Sequence, residues 1–280
     1  MFDRKKTRMN RLFNKSGKCL DVAIDHGIFN EYGFLAGLED MEQTIPMLVD
    51  AGPDVIQMNM GQADILQSIP GNDKPALLLR TDVGNPYNKK QHRSMFNILQ
   101  NPEEPILTAL RMDAAAVVAN LLLLPEEPEL HQQTISNICK LRNECEKYAM
   151  PLMVEPLVMK VGNGYEVDGN KDLIVSLVRQ ARELGADIIK SDPTDNVEDY
   201  HEVITAARCP VLVRGGGKAD IRSVFEKTHA FLQTGVSGLV YGRNIYQHDN
   251  PSRIVKAFMT LIHDGISCEE AWNIYEKNAD

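Results

Sequence analysis

The chain of 280 residues is 43% hydrophobic and 25% charged, which are ordinary values for a globular protein. Its length fits one large α/β domain as well as two small ones. The net charge of −9 and the pI near 5.3 argue against a nucleic-acid-binding protein, although they leave room for a local cationic pocket that binds an anionic metabolite.

The amino-terminal segment, residues 1–18, is rich in Lys and Arg. It has no apolar core and no small-residue cleavage site, so it is not typical of a secretory signal. The basic cluster of Arg4, Lys5 and Lys6 could bind an anionic partner. A solvated helix that lies across one end of the domain is the favoured interpretation.

The composition also limits where the protein works. No apolar run is long enough to span a bilayer. The five cysteines are odd in number and include no C-x-x-C pair, which indicates free thiols in a reducing compartment. We therefore expect a cytoplasmic protein with neither a membrane nor a nucleic acid as partner.

Short apolar runs bounded by turn residues predict strands. They lie at residues 20–25, 55–58, 76–80, 115–120, 151–155, 186–190, 210–214 and 238–241. The segments between them predict helices, including those near residues 39–50, 103–112, 129–148, 172–184 and 197–207. A long polar loop, residues 81–93, follows the third strand and is of a kind that is more often functional than idle.

Three signals mark the ends of helices. Gly185 is predicted to stop a helix in the left-handed conformation. Asn250 and Pro251 are predicted to cap and begin the next-to-last helix, and the spacing of Ser267 and Glu270 predicts a capping box for the last one.

The alternation of strands and helices, without a linker-like break, predicts a single (β/α)8 TIM barrel over residues 1–280. Its strands run from about residue 19 to 242, an N-terminal helix caps it, and residues 251–280 form C-terminal helices. An open doubly wound sheet is the alternative. It is weaker because the first strand has no G-x-G-x-x-G turn and the glycine clusters follow the last two strands.

Most predicted strands end in a polar residue. Because side chains two apart in a strand share a face, taking Lys190 as inward predicts a ring of inward polar residues. They are Asp25, Gln57, Arg80, Asn120, Glu155 and Arg214. The residues two places earlier predict an apolar layer beneath: Ala23, Val55, Leu78, Val118, Met153 and Leu212. A polar residue at the end of any one strand is ordinary, because strand ends lead into solvent. Seven such residues that include acids, bases and amides favour an active site at the carboxyl ends of the strands, where barrel enzymes have their active sites.

Lys190 ends an apolar run that is broken by Pro193. A buried ammonium ion is costly, so a lysine at the end of an interior strand is expected to have a lowered pKa and to become a usable amine. An unprotonated lysine in an enclosed site can form a Schiff base with a carbonyl substrate.

Two glycine groups follow the last two strands. Residues Gly215, Gly216, Gly217 and Lys218 precede a helix, and backbone N–H groups of such a turn can close on an oxyanion. It is not a Walker loop, because the spaced first glycine and the Ser or Thr after Lys218 are missing. Gly242 and Arg243 follow the eighth strand, before a possible short helix at residues 245–247. Each glycine group alone would indicate only a tight turn. The presence of one after the seventh strand and one after the eighth favours a phosphate-binding site.

Four segments resemble the superfamily of Schiff-base, or class I, aldolases. They are residues 23–27 (Ala-Ile-Asp-His-Gly), 187–190 (Asp-Ile-Ile-Lys), 214–218 (Arg-Gly-Gly-Gly-Lys) and 238–244 (Gly-Leu-Val-Tyr-Gly-Arg-Asn). The superfamily contains archaeal-type fructose-bisphosphate, tagatose-bisphosphate and deoxyribose-phosphate aldolases. The likeness is closest to the archaeal-type branch, which also includes a thiolase acting on a phosphorylated signalling sugar, and runs from about Leu12 to Phe258.

The resemblance implies roles for individual residues. Lys190 would be the Schiff-base lysine, Asp25 would help to move protons or orient substrate hydroxyls, and Gly216, Gly217, Gly242 and Arg243 would hold the phosphate. The archaeal-type aldolases carry a proton-transferring tyrosine near the end of strand five, where this chain has Glu155. Glu155 is the candidate replacement, since a partly buried carboxyl can be tuned as an acid or a base.

These inferences predict a metal- and cofactor-independent lyase that cleaves or forms a phosphorylated ketose, giving a dihydroxyacetone-phosphate-like product and an aldehyde. Further candidates for binding substrate or phosphate are His26, Arg80, Arg214, Gly215 and Lys218. Transaldolase- or thiolase-like transfer to or from a phosphorylated sugar and a non-catalytic phosphosugar-binding barrel remain alternatives.

A divalent-metal aldolase is disfavoured, because the seven histidines are scattered without ligand spacing. His26, beside Asp25, could be catalytic or could orient the first loop. The resemblance also implies a homo-oligomer.

Overall fold

The computed structural model describes residues 4–87, 103–162 and 164–277. Eight parallel strands close into a barrel, because the first strand pairs with both the second and the last. This closure confirms the predicted (β/α)8 barrel and excludes the open doubly wound sheet. The barrel strands are β1 Cys19–Ala23, β2 Val55–Asn59, β3 Ala76–Arg80, β4 Ala116–Leu123, β5 Leu152–Val161, β7 Ile188–Ser191, β8 Val211–Arg214 and β9 Gly238–Tyr241.

Helices surround the strands. They are α1 Lys6–Leu12, α2 Met41–Ala51, α3 Ala63–Ser68, α4 Glu103–Arg111, α5 Pro128–Tyr148, α6 Lys171–Glu183, α7 Tyr200–Ala207, α8 Ile221–Gln233, α9 Arg243–Tyr246, α10 Pro251–His263 and α11 Cys268–Lys277. No helix in the described ranges is both long enough and apolar enough to cross a membrane.

The three predicted helix signals are confirmed. Gly185 has φ +105° and follows Leu184, the C-cap residue of α6. The Asn250 side chain accepts from the backbone N–H of Arg253 at 3.0 Å, so it caps α10. Ser267 and Glu270 bond reciprocally, with Ser267 N donating to Glu270 Oε2 at 2.9 Å and Glu270 N to Ser267 Oγ at 3.2 Å.

The barrel interior is an apolar cluster distinct from the core between strands and helices. All six residues of the predicted apolar layer belong to this interior cluster: Ala23, Val55, Leu78, Val118, Met153 and Leu212. The alternation of side chains along the strands therefore predicted correctly which residues point into the barrel. The polar residues two positions later lie one layer closer to the carboxyl ends of the strands.

The N-terminal helix α1 lies at the amino-terminal ends of the strands. Leu12 belongs to the interior cluster, and Met9 and Phe13 pack against it. The interpretation of a solvated basic helix was wrong for Lys5, which is 7% exposed and whose Nζ donates to Glu146 at 2.6 Å and Asp187 at 2.9 Å. The long stem of lysine packs on the protein while its ammonium finds carboxylates from two other segments.

One element was not predicted. Strand β5 continues to Val161 and pairs antiparallel with β6, Tyr165–Val167, to form a hairpin that projects beyond the barrel. The predicted strand ended at Glu155, before Pro156, and proline cannot donate to a sheet. However, β5 pairs with β7 only through Met153 and Val154, so Pro156 is unpaired on that side and the strand can run on.

Candidate active site

One cavity opens at the carboxyl ends of the barrel strands, where the polar ring was predicted. It is lined by ten of the predicted site residues: Asp25, His26, Arg80, Glu155, Lys190, Arg214, Gly215, Gly216, Gly242 and Arg243. Gly217 and Lys218 are not part of this lining. Strands far apart in the sequence thus bring a lysine, two carboxylates, three arginines and both glycine groups to one place.

Lys190 points into the barrel from β7. Its side chain is 4% exposed. Ile188, two residues earlier on the same face of β7, lies in the barrel interior, and the neighbouring strands enclose the lysine. Its Nζ lies 3.1 Å from Gln57 Oε1 and 3.2 Å from Glu155 Oε1. A primary amine so placed faces a cavity in which a carbonyl carbon could approach it.

Arg80, at the end of β3, organises the carboxylates of the cavity. Each nitrogen of its guanidinium donates to a different one: Nε to Asp25 at 2.8 Å, Nη1 to Asp82 at 3.1 Å and Nη2 to Glu155 at 2.5 Å. Such charge-assisted bonds fix both geometry and charge. The planar fork therefore holds carboxylates from the first, third and fifth strands in a set arrangement.

The charges also set the ionisation of these carboxylates. Burial opposes ionisation of Glu155, but the nearby charges of Lys190 and Arg80 outweigh it and lower its pKa to about 2. Burial is likewise outweighed at Asp25, where Arg80 and Lys190 hold the pKa well below its ordinary value. Both groups are therefore anions at neutral pH and have no proton to donate.

Gln57 links the lysine to the first carboxylate. Its Nε2 donates to Asp25 Oδ2 at 2.5 Å, while its Oε1 faces Lys190 Nζ. The predicted inward residue of β2 is thus buried and satisfied on both ends of its amide. It keeps the ammonium and the Asp25 carboxylate in fixed relative positions.

His26 lies directly after Asp25 in a loop rich in aromatic residues. Its ring centroid is 5.3 Å from Phe29, 5.8 Å from Phe34 and 5.2 Å from Tyr246. Burial lowers the pKa of His26 to about 4, against the opposing charge of Asp25. The imidazole is therefore neutral at physiological pH.

Arg243 differs from the other two arginines of the cavity. Arg80 and Arg214 form ion pairs with carboxylates. Arg243 instead stacks over the ring of Phe34, 5.0 Å from guanidinium carbon to ring centroid. Its Nε is buried without a hydrogen-bond partner in the part of the chain that the structure describes. A cation held in this way is available to an anionic ligand.

The two glycine groups are tied together beside Arg243. The Asn244 side chain donates to the carbonyls of Gly215 at 3.3 Å and Gly217 at 3.2 Å. Gly242 has no room for a side chain, since a Cβ there would lie 2.6 Å from His26 Cε1. Lys218 turns away, and its Nζ donates to the carbonyl of Gln247 at 3.0 Å.

Sequence reasoning did not single out Tyr87 or Asp192, two polar residues that contact Arg214. Tyr87, from the polar loop after β3, lines the cavity, and its Oη accepts a hydrogen bond from Arg214 Nη1. Asp192 accepts from Arg214 Nε at 2.6 Å. The length and polarity of the loop at residues 81–93 were a signal, although its residues 88–93 lie outside the described ranges. Asp192 lies two residues after Lys190, so the alternation that placed Lys190 inward also indicated Asp192 once it is continued past the end of β7.

The model of a family described as "DeoC/LacD family aldolase" matches residues 19–248. An uncharacterised aldolase of Saccharolobus solfataricus is 31% identical over 276 residues, covering 95% of this chain and 97% of that one. A 3-hydroxy-5-phosphonooxypentane-2,4-dione thiolase of an Enterobacter species is 32% identical over 278 residues, covering 97% and 85%.

Among solved structures, an archaeal fructose 1,6-bisphosphate aldolase superposes with a TM-score of 0.76 at 23% identity, covering 93% of this chain and all of that one. At that identity the likeness concerns the fold, and it agrees with the barrel described above.

Proposed function

Because the chain belongs to the DeoC/LacD family of aldolases, we propose that it is a class I aldolase that cleaves or forms a phosphorylated ketose through a Schiff base on Lys190. The observation that carries this proposal is that Lys190 Nζ and the Arg243 guanidinium line one cavity. A ketose phosphate has the two matching groups, a carbonyl for the amine and an anion for the cation.

In this proposal the chemistry takes place at Lys190, and the phosphate binds at Arg243 and the two glycine groups. Lys190 attacks the keto carbon, and the resulting iminium ion accepts the electron pair of the breaking C–C bond. Asp25 and Glu155, which are ionised, stabilise the iminium cation and orient substrate hydroxyls. Arg243 and the backbone of Gly215, Gly216 and Gly242 bind the phosphate, which positions the carbonyl against the amine.

The test is borohydride trapping. The protein is incubated with fructose 1,6-bisphosphate or dihydroxyacetone phosphate, reduced with borohydride, digested and examined by mass spectrometry. We expect a stable adduct on the peptide that contains Lys190, and none in Lys190→Ala. Lys171→Ala is the control, because Lys171 lies on α6, pairs with Glu202 and is not among the residues that line the cavity. If no phosphorylated ketose or triose gives an adduct on Lys190, the Schiff-base proposal is wrong.

A second reaction is favoured by the relative named as a 3-hydroxy-5-phosphonooxypentane-2,4-dione thiolase. The same lysine and phosphate site would then act on a phosphorylated dione and pass an acyl group to a thiol. Product analysis by chromatography and mass spectrometry separates the two. Aldol cleavage needs no thiol and releases an aldehyde, whereas transfer requires the thiol and yields a thioester. Turnover of a ketose phosphate in the absence of thiol would exclude obligatory transfer.

A further inference from the structure

Tyr87 is held firmly although it belongs to a loop. Its carbonyl accepts from the backbone N–H of Tyr165 in the β5–β6 hairpin at 3.1 Å, and its own N–H donates to Asn85 Oδ1 at 3.0 Å. The ring packs against Phe29 and Phe34, with centroids 5.7 and 5.9 Å away. The hairpin and the aromatic cluster thus place the phenol in the wall of the Lys190 cavity.

The phenol oxygen has a cationic neighbour. Arg214 Nη1 donates to Tyr87 Oη, while Arg214 Nε is anchored on Asp192. Within the described residues, Oη takes part only as an acceptor, so its own proton is free to be donated to a ligand. The guanidinium would stabilise the phenolate that remains when this proton leaves.

Other groups of the cavity are poor proton carriers. Asp25 and Glu155 are held ionised by Arg80 and Lys190, and their low pKa values make them weak bases as well. His26 is a neutral imidazole with a pKa of about 4, so it also binds a proton weakly. Of the cavity-lining residues that the structure describes, Tyr87 alone carries a hydroxyl.

We propose that Tyr87 is the residue that gives and takes the proton in the Lys190 reaction. The inference rests on the proposed Schiff-base chemistry. First, the phenol protonates the hydroxyl of the carbinolamine; the C–O bond breaks, water leaves, and the nitrogen lone pair forms the iminium. The phenolate then takes the proton of the hydroxyl β to the iminium carbon. The C–C bond breaks, its electron pair gives the enamine, and the aldehyde leaves.

The return half uses the same proton. The phenol protonates the enamine carbon and regenerates the iminium, and the phenolate takes a proton from the water that adds to the iminium carbon. The carbinolamine so formed then collapses: its C–N bond breaks, its hydroxyl proton passes to the Lys190 nitrogen, and the ketone leaves. Each proton that the phenol gives is matched by one that the phenolate takes, so Tyr87 ends each half as it began and no further reactant is required. Tyr87 acts here as a general acid and base.

The test is Tyr87→Phe, which removes the hydroxyl and keeps the ring. We expect kcat to fall by roughly 100-fold or more, with KM for the ketose phosphate little changed and the thermal unfolding temperature preserved. Tyr148→Phe is the matched control, because Tyr148 ends α5 and its hydroxyl donates to Glu103, outside the cavity lining. It should retain the wild-type kcat.

A second measurement separates chemistry from packing. Replacing Tyr87 by a fluorotyrosine, whose phenol is more acidic, should move one limb of the pH–kcat profile to lower pH, which a residue that only packs would not do. Wild-type kcat in Tyr87→Phe, or an unmoved profile, overturns the assignment. Lys190→Ala is assayed in parallel. If it stays active the Schiff-base proposal fails, whereas an inactive Lys190→Ala with an active Tyr87→Phe removes only the role of Tyr87.

Discussion

At the scale of single residues, the site is defined by which cations are paired. Arg80 and Arg214 are neutralised by carboxylates, so they shape the cavity more than they attract a ligand. Arg243 instead stacks on the face of Phe34, and its Nε has no hydrogen-bond partner among the described residues, so its charge is available to the phosphate in the proposed reaction. The local motif at residues 238–244 places Arg243 after a strand, but only the surrounding contacts reveal that, in the described ranges, it forms no ion pair with a carboxylate.

This difference predicts how two neighbouring cations respond to substitution. Arg243→Gln should raise KM for a phosphorylated ketose by about 10-fold or more, because a charge-assisted bond to phosphate is lost. It should affect an unphosphorylated ketose much less. Lys218→Ala should change the KM for the phosphorylated and for the unphosphorylated ketose by less than about threefold, because Lys218 Nζ donates a hydrogen bond to the carbonyl of Gln247. Steady-state kinetics with both sugars measures this, and equal effects on both substrates would contradict a phosphate role for Arg243.

At the scale of elements, the seam between β9 and β1 closes the barrel. Cys19 pairs with Gly238 there. A Cβ on Gly238 would lie 2.0 Å from the carbonyl oxygen of Cys19, and its φ is +145°, which L side chains rarely adopt. The glycine is therefore required by the close approach of two backbones, and the strand ends that carry Asp25 and Gly242 depend on it.

Gly238→Ala should therefore destabilise the protein by about 2 kcal/mol or more, since backbone must shift and a strained φ must be kept. Gly61→Ala is the matched control, because a Cβ at Gly61 meets nothing within 4 Å and its φ is not positive. It should change the free energy of unfolding by less than about 1 kcal/mol. Urea denaturation compares the two, and equal stabilities would show that the seam can relax.

At the scale of the whole molecule, the barrel buries one carboxyl that it does not pair. Asp21 in β1 is fully buried, and neither of its oxygens has a partner among the described residues. Burial raises its pKa to about 8, against the opposing charge of Lys190. Burying the protonated carboxyl costs less free energy than burying the carboxylate. The folded protein therefore keeps a proton on Asp21 that the unfolded chain releases.

Asp21 should therefore make the fold less stable as pH rises. Between pH 4 and 8 the folded state keeps the Asp21 proton while the unfolded state has lost it, so the free energy of unfolding falls by up to about 1.4 kcal/mol per pH unit from this group. Asp21→Asn and Asp21→Leu should both flatten that slope, so each gains stability relative to the wild type from pH 5 to pH 8. Urea denaturation at several pH values measures it, and parallel wild-type and variant curves would contradict the buried proton.

The sequence by itself determined the barrel and most of the polar ring that lines the candidate site. Alternation of apolar and polar residues is a local property, so it gave β3 as observed and placed Asp25, Arg80, Glu155 and Lys190 on the inner face before any contact was known. Capping signals are equally local, which is why the start of α10 was predicted from Asn250 and Pro251.

The tertiary structure decided what depends on partners distant in the sequence. Glu155 is an anion held by Arg80 and Lys190, Lys5 is buried against two carboxylates, and Tyr87 lines the same cavity as Lys190. Each of these features joins residues more than 30 positions apart in the sequence. No periodicity encodes such pairs. The charge state of a buried group and the neighbour of a loop residue are properties of the assembled barrel, because both depend on which side chains and how much water surround them.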